Sequence, residues 1–332
     1  NAILDIELDP QRFEVVRERL RFGGERSLTL IEAERHDVGS GLISSKVYSG
    51  RAPKTFSMPA NRMVTFQAIT RVPEDTKSRR LVVDVARRVI EALSGIFVLD
   101  PVPSSMRSYV RLGTPPDRTA SSLSAQLHSL RSSPQLWDRL VDLVQNLVGA
   151  RATDLAFAEG RFPEAPSPVD VMVALKEVGP DGEFLIPAST MSDGTLRYLA
   201  ILTTLLVAQD TDGLPQGRRT IVVEEIENGL FPDQASRILS LLREEAANQH
   251  ITLITTTHSP ALLDAVEPDD HEGIIVVRRD ENSRSSLTPL VDHENYLQLV
   301  QAGRLGQEVA RGSLTVTPSL TSTSRSVKDF IS

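Results

Sequence analysis

Two hydrophobic patterns divide the first half of the chain. Residues 1–72 alternate short apolar runs with turn signals such as Gly39-Ser40-Gly41, and this alternation predicts an antiparallel β region. From Thr76 to Ile96 apolar residues recur every four positions, which indicates a helix. A further helical stretch is predicted at about 121–148. We therefore expect a helical lobe or insertion over residues 73–168.

A third pattern, the alternation of strand and helix, fills residues 169–312. The continuous apolar strands Thr220–Val223 and Ile251–Thr255 stand between amphipathic helices, and a further strand, Ile274–Val277, ends the run. Such strands are typical of a parallel sheet with helices on its faces. The sequence thus predicts an α/β protein with a mainly parallel sheet core. The Ser/Thr-rich residues 313–332 are expected to be a disordered tail.

Composition narrows the chemistry. The chain of 332 residues has no cysteine, which excludes disulfides, cysteine–zinc sites, iron–sulfur clusters and a thiol nucleophile. No apolar run is long enough to cross a membrane, and a cytoplasmic protein without a membrane partner is expected. With 36 basic and 44 acidic residues, the net charge of −8 excludes a basic field over the whole protein.

A local concentration of arginine lies between Arg12 and Arg26. Two interpretations stay open: a solvated strand face, which the interleaved acidic residues favour, or a contact surface for nucleic acid. The five arginines are Arg12, Arg17, Arg19, Arg21 and Arg26.

Three segments place polar residues where an open α/β sheet binds its ligands. Glu224-Glu225 follows a buried strand, His258-Ser259-Pro260 follows the next strand, and Ser192-Asp193-Gly194 opens an apolar helix. Paired carboxylates suit an Mg²⁺–nucleotide site, in which one holds the metal shell and the other orients water. A helix N-terminus can bind an anion. A histidine placed beside a γ-phosphate can donate a hydrogen bond to the phosphate or position water.

Each segment alone also has an ordinary explanation: an acidic turn, a helix cap or a structural histidine. Their combination favours a nucleotide site, because adjacent parallel strands would bring Glu225 and His258 to one sheet edge.

Taken in order, these motifs resemble the ATPase head of the ABC type, in the branch of RecF, SMC heads and OLD-family proteins. The similarity is narrower still to bacterial AAA family ATPases with the pattern S-D-G-T-L-R, E-E-x-E-N-G-L-x-P and T-T-H-S-P. It covers Ser189–Val277, where the motifs read Ser192 to Arg197, Glu224 to Pro232 and Thr256 to Pro260. The resemblance implies an ABC-ATPase head that uses ATP and Mg²⁺.

The resemblance also implies roles for individual residues. Ser192, Asp193 and Gly194 would form the signature motif, which contacts the γ-phosphate of an ATP held by a second subunit. Asn228 would lie in the D-loop, beside that nucleotide at the dimer interface.

Three further residues would carry the chemistry of the implied ATPase. Glu224 would hold Mg²⁺ through its water shell, Glu225 would be the general base that polarises water, and His258 would be the switch histidine that senses the γ-phosphate. The phosphate-cradling Gly-x-x-x-x-Gly-Lys-Ser/Thr loop of this family does not occur in the printed sequence, and we expect it upstream of residue 1.

The implied function is an ATP-hydrolysing switch that forms a homodimer around two ATP molecules. In the resembling families such switches act on DNA or on a separate effector protein, for example a nuclease, frequently in anti-phage defence. One alternative is a catalytically silent scaffold that keeps the fold for assembly. Another, a transporter ATPase subunit, is disfavoured because Ser192-Asp193-Gly194-Thr195 is not the usual transporter signature.

Overall fold

A computed structural model describes residues 1–24, 27–37, 39–148, 151–160, 170–207, 220–229, 232–248, 251–279, 285–301, 303, 305–312 and 314. The chain forms two compact units. The N-terminal unit is Asn1–Gly95, and the C-terminal unit begins at Ile96. Of the predicted tail 313–332, all but Leu314 lies outside the described residues, and Leu314 itself is buried beside Leu290 and Leu305.

An antiparallel sheet forms the first part of the N-terminal unit, in the order β1-β2-β3-β4-β5. On β2 the sequence alternates, so that Leu20 points into the core while Arg19 and Arg21 point away from it. The predicted antiparallel region is therefore present. The strands are β1 (Ala2–Leu8), β2 (Val15–Phe22), β3 (Leu28–Glu34), β4 (Leu42–Val47) and β5 (Lys54–Pro59).

Two helices, α1 (Val64–Arg71) and α2 (Lys77–Ser94), follow the sheet. Helix α2 matches the periodicity and begins with Thr76, whose side chain accepts a hydrogen bond from the Arg79 amide. Helix α1 was missed, because β structure was predicted up to residue 72. No side chain next to α1 caps it; the buried carboxylate of Glu18, on β2, accepts from the Val64 and Thr65 amides at 2.7 and 2.6 Å.

The C-terminal unit mixes strands and helices. Its strands are β6 (Ile96–Leu99), β7 (Val110–Arg111), β8 (Ala152–Gly160), β9 (Asp170–Gly179), β10 (Gly182–Pro187), β11 (Thr220–Val223), β12 (Thr252–Thr255), β13 (Ile275–Arg279) and β14 (Ser285–Pro289). Its helices are α3 (Pro103–Met106), α4 (Leu123–Leu130), α5 (Pro134–Val148), α6 (Asp193–Val207), α7 (Pro232–Asn248), α8 (Pro260–Asp264), α9 (Tyr296–Gln301) and α10 (Leu305–Ala310). Two 3₁₀ turns are Pro268–Gly273 and Leu290–Asp292.

A parallel sheet with the order β12-β11-β6 lies in the core of this unit. The strands are in register at their carboxyl ends, where Leu99, Val223 and Thr255 are neighbours. Helix α6 is buried on nearly all sides and packs in one apolar cluster with β11 and α7. The predicted mixed α/β organisation is confirmed.

A second, antiparallel sheet is built around β9, which pairs with β7, β8 and β10. Within the stretch 73–168, expected to be helical, the structure contains β6, β7 and β8 besides helices. The expectation that Ile274–Val277 extends the parallel alternation is wrong. Strand β13 pairs antiparallel with β14, and β14 is too polar to be recognised from its hydrophobicity.

The domain boundaries at residues 72, 168 and 312 remain predictions. No helix in the described part of the chain is both long and apolar enough to cross a membrane.

Candidate nucleotide site

The carboxyl ends of β6, β11 and β12 form one edge of the parallel sheet. Backbone hydrogen bonds join the residues that follow the strands: the Glu224 amide donates to the Leu99 carbonyl at 3.2 Å, and the Thr256 amide donates to the Val223 carbonyl at 3.1 Å. The Ile226 amide continues this pattern by donating to the Thr256 carbonyl at 3.3 Å. The fold thus brings the segments of Glu224 and Thr256 to the same edge, as parallel topology requires.

Glu225 has an unusual backbone at this edge. Its φ of 47° lies in the left-handed region, which residues other than glycine rarely adopt. Three contacts hold the turn: its amide donates to Thr256 Oγ1 at 3.1 Å, its carbonyl accepts from the Asn228 amide at 2.9 Å, and its Oε2 accepts from Asn228 Nδ2 at 3.1 Å. The carboxylate is exposed yet oriented, and such strain is typical of functional sites.

Glu224 forms an ion pair with Arg118, a residue that the sequence analysis did not single out. Arg118 Nη2 donates to Glu224 Oε1 at 2.8 Å and lies 3.7 Å from Asp100 Oδ2. Asp100 follows β6 as Glu224 follows β11, so two carboxylates flank one guanidinium at the sheet edge. The signal in the sequence was the apolar run Ile96–Leu99 before Asp100, which repeats the pattern of Val223 before Glu224.

His258 lies in the segment after β12 and is exposed. Its amide donates to Glu227 Oε1 at 3.0 Å, while Glu227 Oε2 is buried and accepts no hydrogen bond among the described residues. Glu227, inside the predicted motif but given no role there, therefore positions the backbone of the histidine segment.

The Ser192 segment begins helix α6. Ser192 Oγ accepts from the Thr195 amide at 3.1 Å, which is an N-cap. Asp193 and Gly194 are the first two residues of α6, a position where amides have no acceptor in a preceding helical turn; Asp193 is exposed and Gly194 is buried. The helix-cap and anion-binding interpretations are therefore compatible. Gly229 approaches this turn so closely that a Cβ atom on it would lie 3.2 Å from the Gly194 nitrogen.

The contact between Gly229 and Gly194 connects the two parts of the predicted site. Glu225 binds Asn228, and Asn228 precedes Gly229, whose φ of 82° suits glycine. The structure thus brings Ser192, Asp193, Gly194, Glu225 and Asn228 into one connected region.

Arg107, which follows α3, completes this region and was also missed. Its guanidinium donates to the backbone carbonyls of Ala188, Ser189 and Met191 and to the carboxylate of Asp193. No sequence pattern signals a contact between segments so far apart.

The site has the donors that Mg²⁺ prefers, although they are few. Mg²⁺ is commonly bound by one or two carboxylates together with phosphate oxygens and water, and Glu224 would supply one such carboxylate once Arg118, which pairs with both Glu224 and Asp100, is displaced. Among the described residues no group of three or more His, Cys, Asp or Glu side chains could hold a metal by itself. The residues present therefore fit a metal that arrives with a nucleotide.

The chain was compared with solved structures, with curated protein sequences and with models of protein families. The chain is similar to the SmcHead bound to the C-winged helix domain of ScpA, with 12% identity and a TM-score of 0.41 over 85% of this chain and 76% of that one. It is similar to the SMC head domain from Thermotoga maritima, with 11% identity and a TM-score of 0.36 over 82% and 73% of the two chains. No curated protein sequence matches it.

A family model also matches the chain. The family described as "AAA domain, putative AbiEii toxin, Type IV TA system" matches residues 35–264, which is more than half of the chain. That range contains every residue of the sheet edge and of the α6 start described above. The chain belongs to this AAA-domain family of ATPases.

Proposed function

We propose that this chain is the head of an ABC-type switch that binds ATP with Mg²⁺, dimerises around two nucleotides and hydrolyses them. The observation that carries the proposal is the joining of Glu224, Glu225 and Thr256 at one sheet edge by backbone hydrogen bonds. An edge of this kind is where open α/β proteins place a ligand.

Glu225 is the proposed general base. Its exposed carboxylate is held by Asn228 and can accept the proton of a water molecule. As the water oxygen bonds to the γ-phosphorus, the bond to the bridging oxygen breaks and ADP leaves. Glu224 would hold the Mg²⁺ shell, and this cation would neutralise charge on the phosphate oxygens. His258 would sense the γ-phosphate from the neighbouring strand end.

The start of α6 is the proposed contact with a second copy. The first amides of a helix, here those of Asp193 and Gly194, lack an acceptor in a preceding helical turn and favour an anion, as does the positive end of the helix dipole. Ser192 would add a hydroxyl, and Asn228 would lie beside the same interface. Two copies placed head to tail would then enclose two ATP molecules.

The wider setting of the switch is part of the same proposal. The family description names a toxin and a type IV TA system, which supports a role in bacterial defence. We expect a separate effector protein, such as a nuclease, to receive the conformational change. DNA is the proposed trigger or target.

The decisive experiment is Glu225→Gln in the full-length protein. We expect hydrolysis to fall by at least about 100-fold, because the base is lost, while an ATP-bound dimer accumulates. Hydrolysis is measured by phosphate release and assembly by analytical ultracentrifugation. Glu272→Gln, at an exposed carboxylate of a 3₁₀ turn, is the matched control and should behave as wild type. Unchanged hydrolysis in Glu225→Gln would refute its assignment as base.

A further inference from the structure

Arg107, the residue that follows the short helix α3, donates four hydrogen bonds through its guanidinium. Nη1 donates to the carbonyls of Ala188, Ser189 and Met191 at 3.2, 3.1 and 2.8 Å. Nη2 donates to Asp193 Oδ1 at 2.5 Å. One guanidinium thus contacts three residues of the turn that leads from β10 into α6, together with the first residue of α6.

The geometry of this contact requires arginine. A planar guanidinium presents several N–H groups in a fixed fork, whereas a lysine ammonium is a point charge on a flexible stem. Ala188 and Met191 are buried, so the turn is anchored in the core on one side and by Arg107 on the other. The side chain of Arg107 is itself only 29% exposed.

The ion pair between Arg107 and Asp193 also changes the charge at the start of α6. Asp193 stabilises the N-terminus of its own helix, but its carboxylate is 68% exposed on the face proposed to receive a phosphate. A bare carboxylate there would repel an anion, since like charges a few ångströms apart disfavour each other. Arg107 compensates that charge.

We propose that Arg107 is a positioning residue for assembly: it fixes the turn before α6 and neutralises Asp193, so that the nucleotide of a second copy can dock on Ser192 and Gly194. This inference rests on the proposed function. It makes Arg107 necessary for the dimer and dispensable for nucleotide binding within one copy.

The test measures assembly and nucleotide binding separately in the full-length protein. In the Glu225→Gln background, Arg107→Ala should weaken ATP-dependent dimerisation by about 30-fold, because a charge-assisted contact at the interface is lost. Arg107→Lys should lie between Arg107→Ala and the parent, since it keeps the charge and loses the fork. Sedimentation equilibrium at a series of ATP concentrations gives the dimer dissociation constants.

Binding within one copy is measured with a fluorescent ATP analogue in the Ser192→Arg background, in which the interface is blocked. Arg107→Ala should leave that affinity within about twofold of the parent, because no contact of Arg107 reaches Glu224 or Glu225. The matched control is Arg111→Ala, a nearby exposed arginine whose ion-pair contact, with Asp170, is 3.9 Å. It should leave both dimerisation and binding unchanged.

Each outcome has a separate meaning. If Ser192→Arg still dimerises, the proposed function fails at its signature motif. If Ser192→Arg blocks assembly but Arg107→Ala assembles as its parent, the inference about Arg107 alone is overturned. Equal loss of assembly and of single-copy binding in a folded Arg107→Ala also overturns it, because the effect is then general. Adding Asp193→Asn to Arg107→Ala should recover part of the assembly, and no recovery would overturn the neutralising role.

Discussion

Arginines have different partners in the two units of this chain. On β2, Arg17, Arg19 and Arg21 form exposed ion pairs across to neighbouring strands: Arg17 with Glu34 at 3.0 Å, Arg19 with Glu32 at 2.6 Å and Arg21 with Asp5 at 2.6 Å. In the C-terminal unit, Arg107 and Arg118 contact a loop backbone and a strand-end carboxylate that lie far away along the chain.

The difference shows that an arginine-rich stretch does not by itself indicate a binding surface, because the partners of its side chains decide its role. The ladder of ion pairs on β2 follows from register. Arg17 and Arg19 stand opposite Glu34 and Glu32 of β3. Arg21 stands opposite Ile3 of β1 and reaches diagonally to Asp5 on the same strand. The charges of the ladder are compensated locally, and this favours the solvated-face interpretation over a phosphate-binding surface. Arg107 and Arg118, at the candidate nucleotide site, instead hold together segments that the fold has brought into contact.

The largest effect on stability is expected at Glu18, which lies on β2 between the arginines of the ladder and contacts residues far away in the sequence. Glu18→Ala should lower the free energy of unfolding by about 3 kcal/mol, because two buried amides at the start of α1 lose their charged acceptor. Urea denaturation measures the change.

The matched control for Glu18 is Glu32→Ala on β3, where the exposed partner of Arg19 is removed. That variant should change the unfolding free energy by less than about 1 kcal/mol. Equal losses in the two variants would contradict the distinction between distant and local contacts.

Features that depend on residues close together in the sequence, such as the positions of strands and helices, are predicted well. Strand β11 has the predicted bounds Thr220–Val223, and the stretch predicted to be helical at about 121–148 contains α4 and α5, because continuous apolar runs and helical periodicity are local signals. The prediction that Glu225 and His258 lie at one edge rests on the alignment of the carboxyl ends of parallel strands. The observed contact at this edge joins the Glu225 amide to Thr256, two residues before His258.

Contacts between residues that are far apart in the sequence could not be predicted from local patterns. Helix α1 depends on a cap from Glu18, a residue of another element, and the turn before α6 depends on Arg107. The left-handed backbone of Glu225 has no sequence signal, because residues other than glycine seldom adopt it. These contacts couple distant segments, so no local pattern records them.

A smaller effect is expected at Asp117, which precedes Arg118 at the candidate nucleotide site. Burial raises the pKa of Asp117, but hydrogen bonds from Thr119, Ser121 and the Ser122 amide outweigh it and lower the pKa from 3.8 to about 2. The folded state therefore prefers the ionised form. The resulting stability is present above pH 4 or so and is lost as pH falls through about 2.

Asp117→Asn should thus destabilise the protein at neutral pH by about 1 kcal/mol, a value reduced for the partial exposure of this carboxyl group. The difference from wild type should shrink as the pH falls from 4 to 2. Thermal unfolding across this range measures it, with Asp181→Asn in the exposed turn after β9 as control. A difference that persists unchanged at pH 2 would show that the carboxylate charge is not its cause.

The smallest effect is expected within the ladder itself. A double-mutant cycle of Arg19→Ala and Glu32→Ala should give a coupling free energy of about 0.2–1 kcal/mol, because both side chains are exposed and solvent screens their attraction. The coupling should fall further at 1 M salt, where the screening length is about 3 Å. A coupling as large as the loss in Glu18→Ala would mean that register alone can create a strong contact. The distinction between the arginines of the ladder and those of the candidate nucleotide site would then fail.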